Sequence, residues 1–173
     1  MQVGALASVQ EYLATNYHPD CDYVDGVLEE REVGQRSHGE LQGETYSYFK
    51  SRKNQLRVYP FIEQRIRISS TRYRVADLCL VHGARPSEEV FTTPPLVAIE
   101  VLSPEDRLSQ VQRKIDDYFD LGVRYVWVID PFNRRAWTYT PEGSREVKDL
   151  ILRTEEPDIV LPLPEIFAAI AEG

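Results

Sequence analysis

The spacing of apolar residues alternates along the chain between a helical period and short strand-like runs. The helical period over residues 38–52 predicts an amphipathic helix. Residues 75–81 and 96–102 are almost entirely apolar, which is typical of strands buried on both faces of a sheet. A third run of this kind covers residues 123–130 and follows another stretch with helical spacing. Strand, helix and strand in this order predict a parallel crossover.

Turn residues mark where these elements begin and end. The dipeptide Asp25-Gly26 between two apolar pairs predicts an N-terminal β-hairpin. Ser103-Pro104, followed by two acids, predicts the start of the crossover helix, and Gly122 predicts its end. We therefore expect an α/β fold with a mixed central sheet, flanking helices and an N-terminal hairpin, in one domain over residues 1–173.

Composition agrees with an ordinary globular protein. Hydrophobic residues make up 42% and charged residues 28% of the chain. No apolar run approaches the roughly 20 residues that cross a bilayer, and the N-terminus lacks the pattern of a signal peptide. We expect a cytoplasmic protein without membrane contact, in which Cys21 and Cys79 stay reduced.

The charge balance limits the binding modes that are open to the protein. A formal net charge of -8 argues against tight, non-specific, counterion-driven binding of nucleic acid. A local basic face is still compatible with it, because arginines cluster on the predicted strands. Arg72 and Arg74 are candidates for contacts to phosphate or DNA. The alternative is that they only solubilise the exposed face of a sheet.

Two carboxylates stand out because each is set into an apolar strand. Asp77 and Glu100 lie on consecutive predicted strands, so both side chains can point at one spot. A buried carboxylate is costly unless a partner or a metal offsets its charge. Mg²⁺ favours one or two carboxylates together with waters and phosphate oxygens. The alternative is that each acid forms a structural pair with an arginine such as Arg72 or Arg74.

The order of these segments resembles that of a known family. The segments that carry the resemblance are Tyr73–Asp77, Pro95–Pro104, Lys114–Tyr118 and Gly122–Pro131. They are similar to the Uma-type restriction endonucleases of the PD-(D/E)XK nuclease superfamily, and the resemblance covers most of the chain. It implies a restriction-endonuclease-like core and hydrolysis of DNA phosphodiester bonds with Mg²⁺ or Mn²⁺ as cofactor. Asp77 and Glu100 correspond to the metal-binding acids, although Ala76 replaces the usual proline.

The resemblance also directs attention to a missing lysine. Leu102 stands where the superfamily pattern has lysine, and many relatives supply that lysine from the following helix instead. Lys114 is the candidate, either reaching the strand ends or remaining solvated, and Gln112 is a weaker one. The predicted helix start at Ser103 would add a dipole that attracts an anion, which makes Ser103 a candidate phosphate contact.

An acid on the first core helix joins the metal in some superfamily members. Glu44 is the best candidate because it lies beside the apolar stripe of the predicted helix, and Glu40 is the next candidate. His38 is interpreted as a polar residue at the helix start.

Three hypotheses follow for the function. The first is a DNA endonuclease with Asp77, Glu100 and Lys114 as catalytic residues, working as a homodimer if two strands are cut. The second is an inactive or weakly active nuclease fold that serves as a binding or scaffolding module. The third is a purely structural fold that does not respond to divalent metals.

Overall fold

The computed structural model describes residues 5–31 and 35–171. The helices are α1 (Val9–Ala14), α2 (Arg36–Leu56), α3 (Leu108–Leu121) and α4 (Leu163–Ala171). The strands are β1 (Asp22–Val24), β2 (Val27–Glu29), β3 (Val58–Ser69), β4 (Arg72–His82), β5 (Val97–Val101), β6 (Tyr125–Asp130), β7 (Arg135–Thr140), β8 (Gly143–Glu146), β9 (Ile151–Arg153) and β10 (Val160–Pro162). Of the helices in the described ranges, none is long and apolar enough to cross a membrane.

Within the described chain, eight strands form one mixed sheet. Its order is β2-β1-β4-β5-β6-β7-β8, and β3 pairs with β4 as well. Strands β5 and β6 are parallel and are joined through α3, which confirms the predicted crossover. The hairpin β1–β2 is also confirmed, and Asp25 and Gly26 at its turn have φ values of 49° and 93°. Positive φ at both central residues is the requirement of a tight hairpin turn.

Strand β4 pairs with three other strands and has an unusual edge. β3 runs along one edge from Arg72 to His82. β1 and β5 therefore share the other edge, with β1 pairing at residues 72–73 and β5 at residues 78–80. Between them, residues 74–77 face no described strand on that edge. Side chains from elsewhere in the fold fill this gap in the ladder.

The core consists of two apolar layers on opposite faces of the sheet. One layer packs beneath α2 and α4 and includes Leu41, Phe49 and Trp127. The other packs beneath α3 and includes Ile115 and Tyr118. The sheet is covered on both sides, which explains why its central strands read as continuous apolar runs.

Two predicted helix boundaries are wrong. Helix α2 covers Arg36–Leu56, more than the predicted residues 38–52. Helix α3 begins at Leu108 rather than at Ser103. The reason is local: the Asp106 carboxylate accepts a hydrogen bond from the Ser103 amide at 2.6 Å, closing a turn that competes with a helical start.

Candidate active site

Asp77 and Glu100 are brought together by the pairing of β4 and β5. In this antiparallel ladder Leu78 is opposite Ile99, and extending the register by one pair sets Asp77 opposite Glu100. Directly opposed residues of antiparallel strands point to the same face of the sheet. Both side chains are buried, with 4% and 6% of the residue surface exposed. The register thus places two buried carboxylates on the same face of the sheet, at the end of the gap along β4.

Helix α3 supplies the partners of Glu100. Lys114 Nζ donates to Glu100 Oε2 at 2.6 Å and to the Val75 carbonyl at 3.0 Å. The Tyr118 hydroxyl, one helical turn later, donates to Glu100 Oε1 at 2.6 Å. Both oxygens of this buried acid are therefore hydrogen-bonded, one of them to a cation.

For both Glu100 and Lys114, burial shifts the pKa in one direction and the charge of the partner shifts it in the other. Burial raises the pKa of Glu100 to about 7, and the charge of Asp77 adds to that rise against the lowering by Lys114. Burial also disfavours the charged form of Lys114, but the Glu100 carboxylate outweighs it and the pKa of Lys114 is raised. The lysine is therefore held as a cation against the acid.

Asp77 is surrounded by donors from three other segments. The Arg31 guanidinium donates to Asp77 Oδ1, and the Val101 amide donates to Oδ2 at 2.8 Å. His38 Nε2 lies 3.3 Å from the same Oδ2. Burial alone would raise the pKa of Asp77, but the His38 hydrogen bond and the Arg31 and Lys114 charges hold it below its usual value. Asp77 is the acid that stays ionised, and Glu100 is the one that takes up a proton first.

Strand β3 adds Glu63 to the edge of the site. Glu63 has a positive φ of 49°, and the ladder with β4 continues on either side of it. The Arg31 guanidinium also contacts its carboxylate. Gln42 Nε2 donates to Glu63 Oε1 at 2.9 Å and to the Asp77 carbonyl at 2.7 Å. Helix α2, strand β3 and the segment after the hairpin therefore all converge on Asp77.

Three residues predicted for the site lie elsewhere. Glu44 is exposed, because two residues after Gln42 it points about 200° around the helix from the site. Gln112 is exposed and donates to Asp116 at 2.9 Å. Ser103 lies in the turn before α3, so the helix start expected there is absent.

Arg72 and Arg74, the two arginine candidates for DNA contacts, differ in how much of their side chains is exposed. Arg74 is 2% exposed, and its guanidinium is used up by three carboxylates, which belong to Asp22, Glu29 and Asp117. It cannot present its charge to a phosphate. Arg72 is partly exposed and pairs with Asp25 and Asp117. Both arginines link the hairpin to α3. The structural alternative predicts that they pair with Asp77 or Glu100, and neither of them does.

Sequence reasoning missed several residues around the acid pair: Arg31, His38, Gln42, Glu63 and Tyr118. Helical spacing predicts part of this set. His38 and Gln42 are four residues apart and share one face of their helix, and the same holds for Lys114 and Tyr118. Arg31 and Glu63 carry no such periodic pattern, since their placement depends on contacts distant in sequence.

The donor atoms of the pair match one class of metal ion. Among the described residues, no group of three His, Cys, Asp or Glu side chains is placed to hold a metal ion. Two carboxylates with hard oxygen donors suit Mg²⁺ or Mn²⁺, which complete their shells with water and substrate oxygens.

The mixed sheet with its βαβ crossover and flanking helices is a restriction-endonuclease-like fold. The chain belongs to the family described as "Uma2: Putative restriction endonuclease", whose model matches residues 9–171.

A crystal structure described as a "putative nuclease belonging to DUF820" from Anabaena variabilis ATCC 29413 has the same fold. The TM-score is 0.80 at 22% identity, over 94% of this chain and 98% of that chain. The search among curated proteins found no match.

Proposed function

We propose that this protein is a metal-dependent DNA endonuclease that hydrolyses phosphodiester bonds at the Asp77–Glu100 pair. Membership of the Uma2 family and the shared fold support a nuclease. The observation that carries the proposal is the position of Lys114, whose Nζ lies 2.6 Å from Glu100 Oε2. The pairing of β4 and β5 sets the same Glu100 opposite Asp77. Two acids and one lysine at this position supply the minimal set for metal-assisted hydrolysis.

The roles of the side chains follow from their charges. Asp77 and Glu100, together with a backbone carbonyl of Ile99 or Val101, would hold Mg²⁺ or Mn²⁺. The bound ion supplies Lewis-acid stabilisation and a lowered pKa for water. Lys114 orients the water for in-line attack and stabilises the negative charge that develops on the phosphoryl oxygens.

The surrounding contacts position these groups. Tyr118 fixes one oxygen of Glu100, while the Val101 amide and His38 fix one oxygen of Asp77. Arg31 neutralises the other oxygen of Asp77. Because donors on α3 fix Glu100 and donors from three other segments fix Asp77, the pair is oriented by the fold before a ligand arrives.

The test is nicking of supercoiled plasmid in the presence of Mg²⁺ or Mn²⁺. Asp77→Ala and Glu100→Ala should each abolish metal-dependent nicking. Glu44→Ala removes an exposed acid from α2 and is the matched control that should cut like the wild type. Nicking that persists in both site variants, or that needs no metal, would reject the proposal.

A second function, binding without cleavage, is favoured by one observation. Both acids already have cationic partners, Arg31 and Lys114, so the pair is charge-compensated by the protein itself. A nuclease fold of this kind would act as a binding or scaffolding module. Calorimetric titration with Mn²⁺ beside the nicking assay separates the two. Heat of binding without nicking supports the binding module, whereas the endonuclease requires both, and both should disappear in Asp77→Ala.

A further inference from the structure

A cleft of about 230 Å³ opens between α2 and β3. Its lining residues come from α2, from the first half of β3 and from the loop after β4, and they are Tyr46, Lys50, Lys53, Tyr59, Pro60, Phe61, Ile62 and Arg85. Apart from two aliphatic residues, every side chain in this set is either basic or aromatic. No role has been assigned to this cleft by the chemistry described above.

The charge of the cleft is opposite to that of the whole protein. Three cations line it and no acid does, although the chain has a net charge of -8. None of the carboxylates in the described ranges lies within 4.0 Å of Lys50, Lys53 or Arg85. In a protein with an excess of acids, unpaired cations gathered in one concavity form a site for an anionic partner.

The aromatic rings narrow the class of anion. Lys50 Nζ lies 5.7 Å from the centroid of the Tyr46 ring, and the Arg85 guanidinium lies 5.9 Å from that of Phe61. Both rings are only partly buried. Cations for phosphates next to rings for bases are the combination with which proteins bind a single nucleic-acid strand.

The cleft shares two elements, α2 and β3, with the surroundings of Asp77. On α2, Gln42 contacts Glu63 and the Asp77 carbonyl, and Tyr46 and Lys50 follow it at successive steps of four residues. Lys50 is therefore about 12 Å beyond Gln42 along the helix axis. On β3, Ile62 is the neighbour of Glu63. The cleft is therefore lined by the same two elements that bring Gln42 and Glu63 to Asp77.

We propose that the cleft binds a single-stranded stretch of nucleic acid that flanks the phosphate at the Asp77–Glu100 pair, and this rests on the proposed function. Lys50, Lys53 and Arg85 bind phosphates, and Tyr46 stacks on a base. The stretch is unpaired because a ring can stack only on a base whose face is open. At the rise of stacked bases, the distance from Gln42 to Lys50 and Lys53 corresponds to roughly four or five nucleotides.

Fluorescence anisotropy with a labelled 20-nucleotide oligothymidine tests the electrostatic part. EDTA is present throughout, so that binding is measured without cleavage. Lys50→Ala/Lys53→Ala should reduce the salt slope of log Kd by about 1.4, because each lost phosphate contact on a single strand contributes about 0.7. The affinity should fall roughly tenfold at low salt.

The matched control removes two cations from the opposite end of the sheet. Arg145→Ala/Lys148→Ala changes the net charge by the same amount at exposed positions on and after β8. It should keep the wild-type slope. An equal loss in both double variants, an unchanged slope in Lys50→Ala/Lys53→Ala, or no binding by the wild-type protein would overturn the proposal.

Substitution of Tyr46 tests the stacking part. Tyr46→Leu should weaken binding about tenfold and Tyr46→Phe should not, because only the first removes the ring. Equal affinities of these two variants, or an equal affinity of the wild-type protein for the duplex form, would overturn the stacking. Plasmid nicking by the Asp77→Ala variant is scored separately, so loss of the endonuclease proposal is distinguishable from loss of this one.

Discussion

Lys114 and Glu100 form a largely buried ion pair that links helix α3 to β5, with 2.6 Å between Nζ and Oε2. The same ammonium donates to the Val75 carbonyl on β4 at 3.0 Å. One side chain therefore holds the second acid and closes part of the gap along the central strand. Leu102, at the position where a strand lysine was expected, packs instead against the apolar layer beneath α3.

We expect Lys114→Met to lower the free energy of unfolding by about 3 kcal/mol, because it leaves Glu100 buried without its cation. Urea denaturation in EDTA measures this change. The double variant Lys114→Met/Glu100→Leu should recover most of the stability, since an apolar pair replaces a buried ion pair at little cost. It should remain inactive in plasmid nicking. Recovery of nicking in the double variant would contradict the role of this pair.

The contact between His38 and Asp77 makes stability depend on pH. Burial lowers the pKa of His38, but the hydrogen bond and charge of Asp77 outweigh it, and the folded-state pKa is raised above 6.5. A raised histidine pKa stabilises the fold fully below pH 6.5, and this contribution is lost as the pH rises through the folded-state value. The metal-free wild type should therefore lose more stability above pH 6.5 than His38→Gln does. Parallel pH profiles in urea denaturation would refute this.

Arg31 is expected to compete with a metal ion for Asp77. Removing a positive charge in direct contact with a carboxylate strengthens the attraction of that carboxylate for a cation. Arg31→Gln should therefore bind Mn²⁺ about tenfold more tightly in calorimetry, while its metal-free form unfolds at lower urea. Arg36→Gln, an exposed substitution at the start of α2, should leave the affinity unchanged. Weaker binding by Arg31→Gln would show that the arginine supports the metal site instead.

The Arg74 cluster should govern stability rather than DNA binding. Arg74→Lys keeps the charge but loses the planar fork that reaches Asp22, Glu29 and Asp117 together. We expect a loss of about 3 kcal/mol and a fall in Tm of roughly 10 °C. The affinity for oligothymidine should not change when measured below the lowered Tm. A weakened affinity with unchanged Tm would restore Arg74 as a phosphate contact.

The central elements were predictable because their patterns are local. Apolar runs located β4 and β5, and the crossover helix between β5 and β6 followed from spacing and chain order. The start of that helix was not predictable, because the Asp106 side chain diverts the chain into a turn at Ser103. A residue pattern that suits a helix start also suits this turn.

The surroundings of the acid pair were harder to predict because they assemble from distant segments. The apolar stripe of α2 favours Glu44 as the acid that faces the site, whereas His38 and Gln42 are the residues that reach Asp77. Sequence left Lys114 open between a solvated and a buried position, and the choice depends on the gap in β4 that it fills. That gap arises from where β1 and β5 end, which is a property of the whole sheet.

The N-terminal hairpin carries a consequence for exchanging parts between relatives. Asp22 and Glu29 belong to it and neutralise Arg74, and Arg31, two residues after β2, neutralises Asp77. A chimera that takes this hairpin from another family member inherits counter-charges matched to a different interior. Such grafts should succeed only when the hairpin, the central strand and the acid-bearing face of α3 are transferred together.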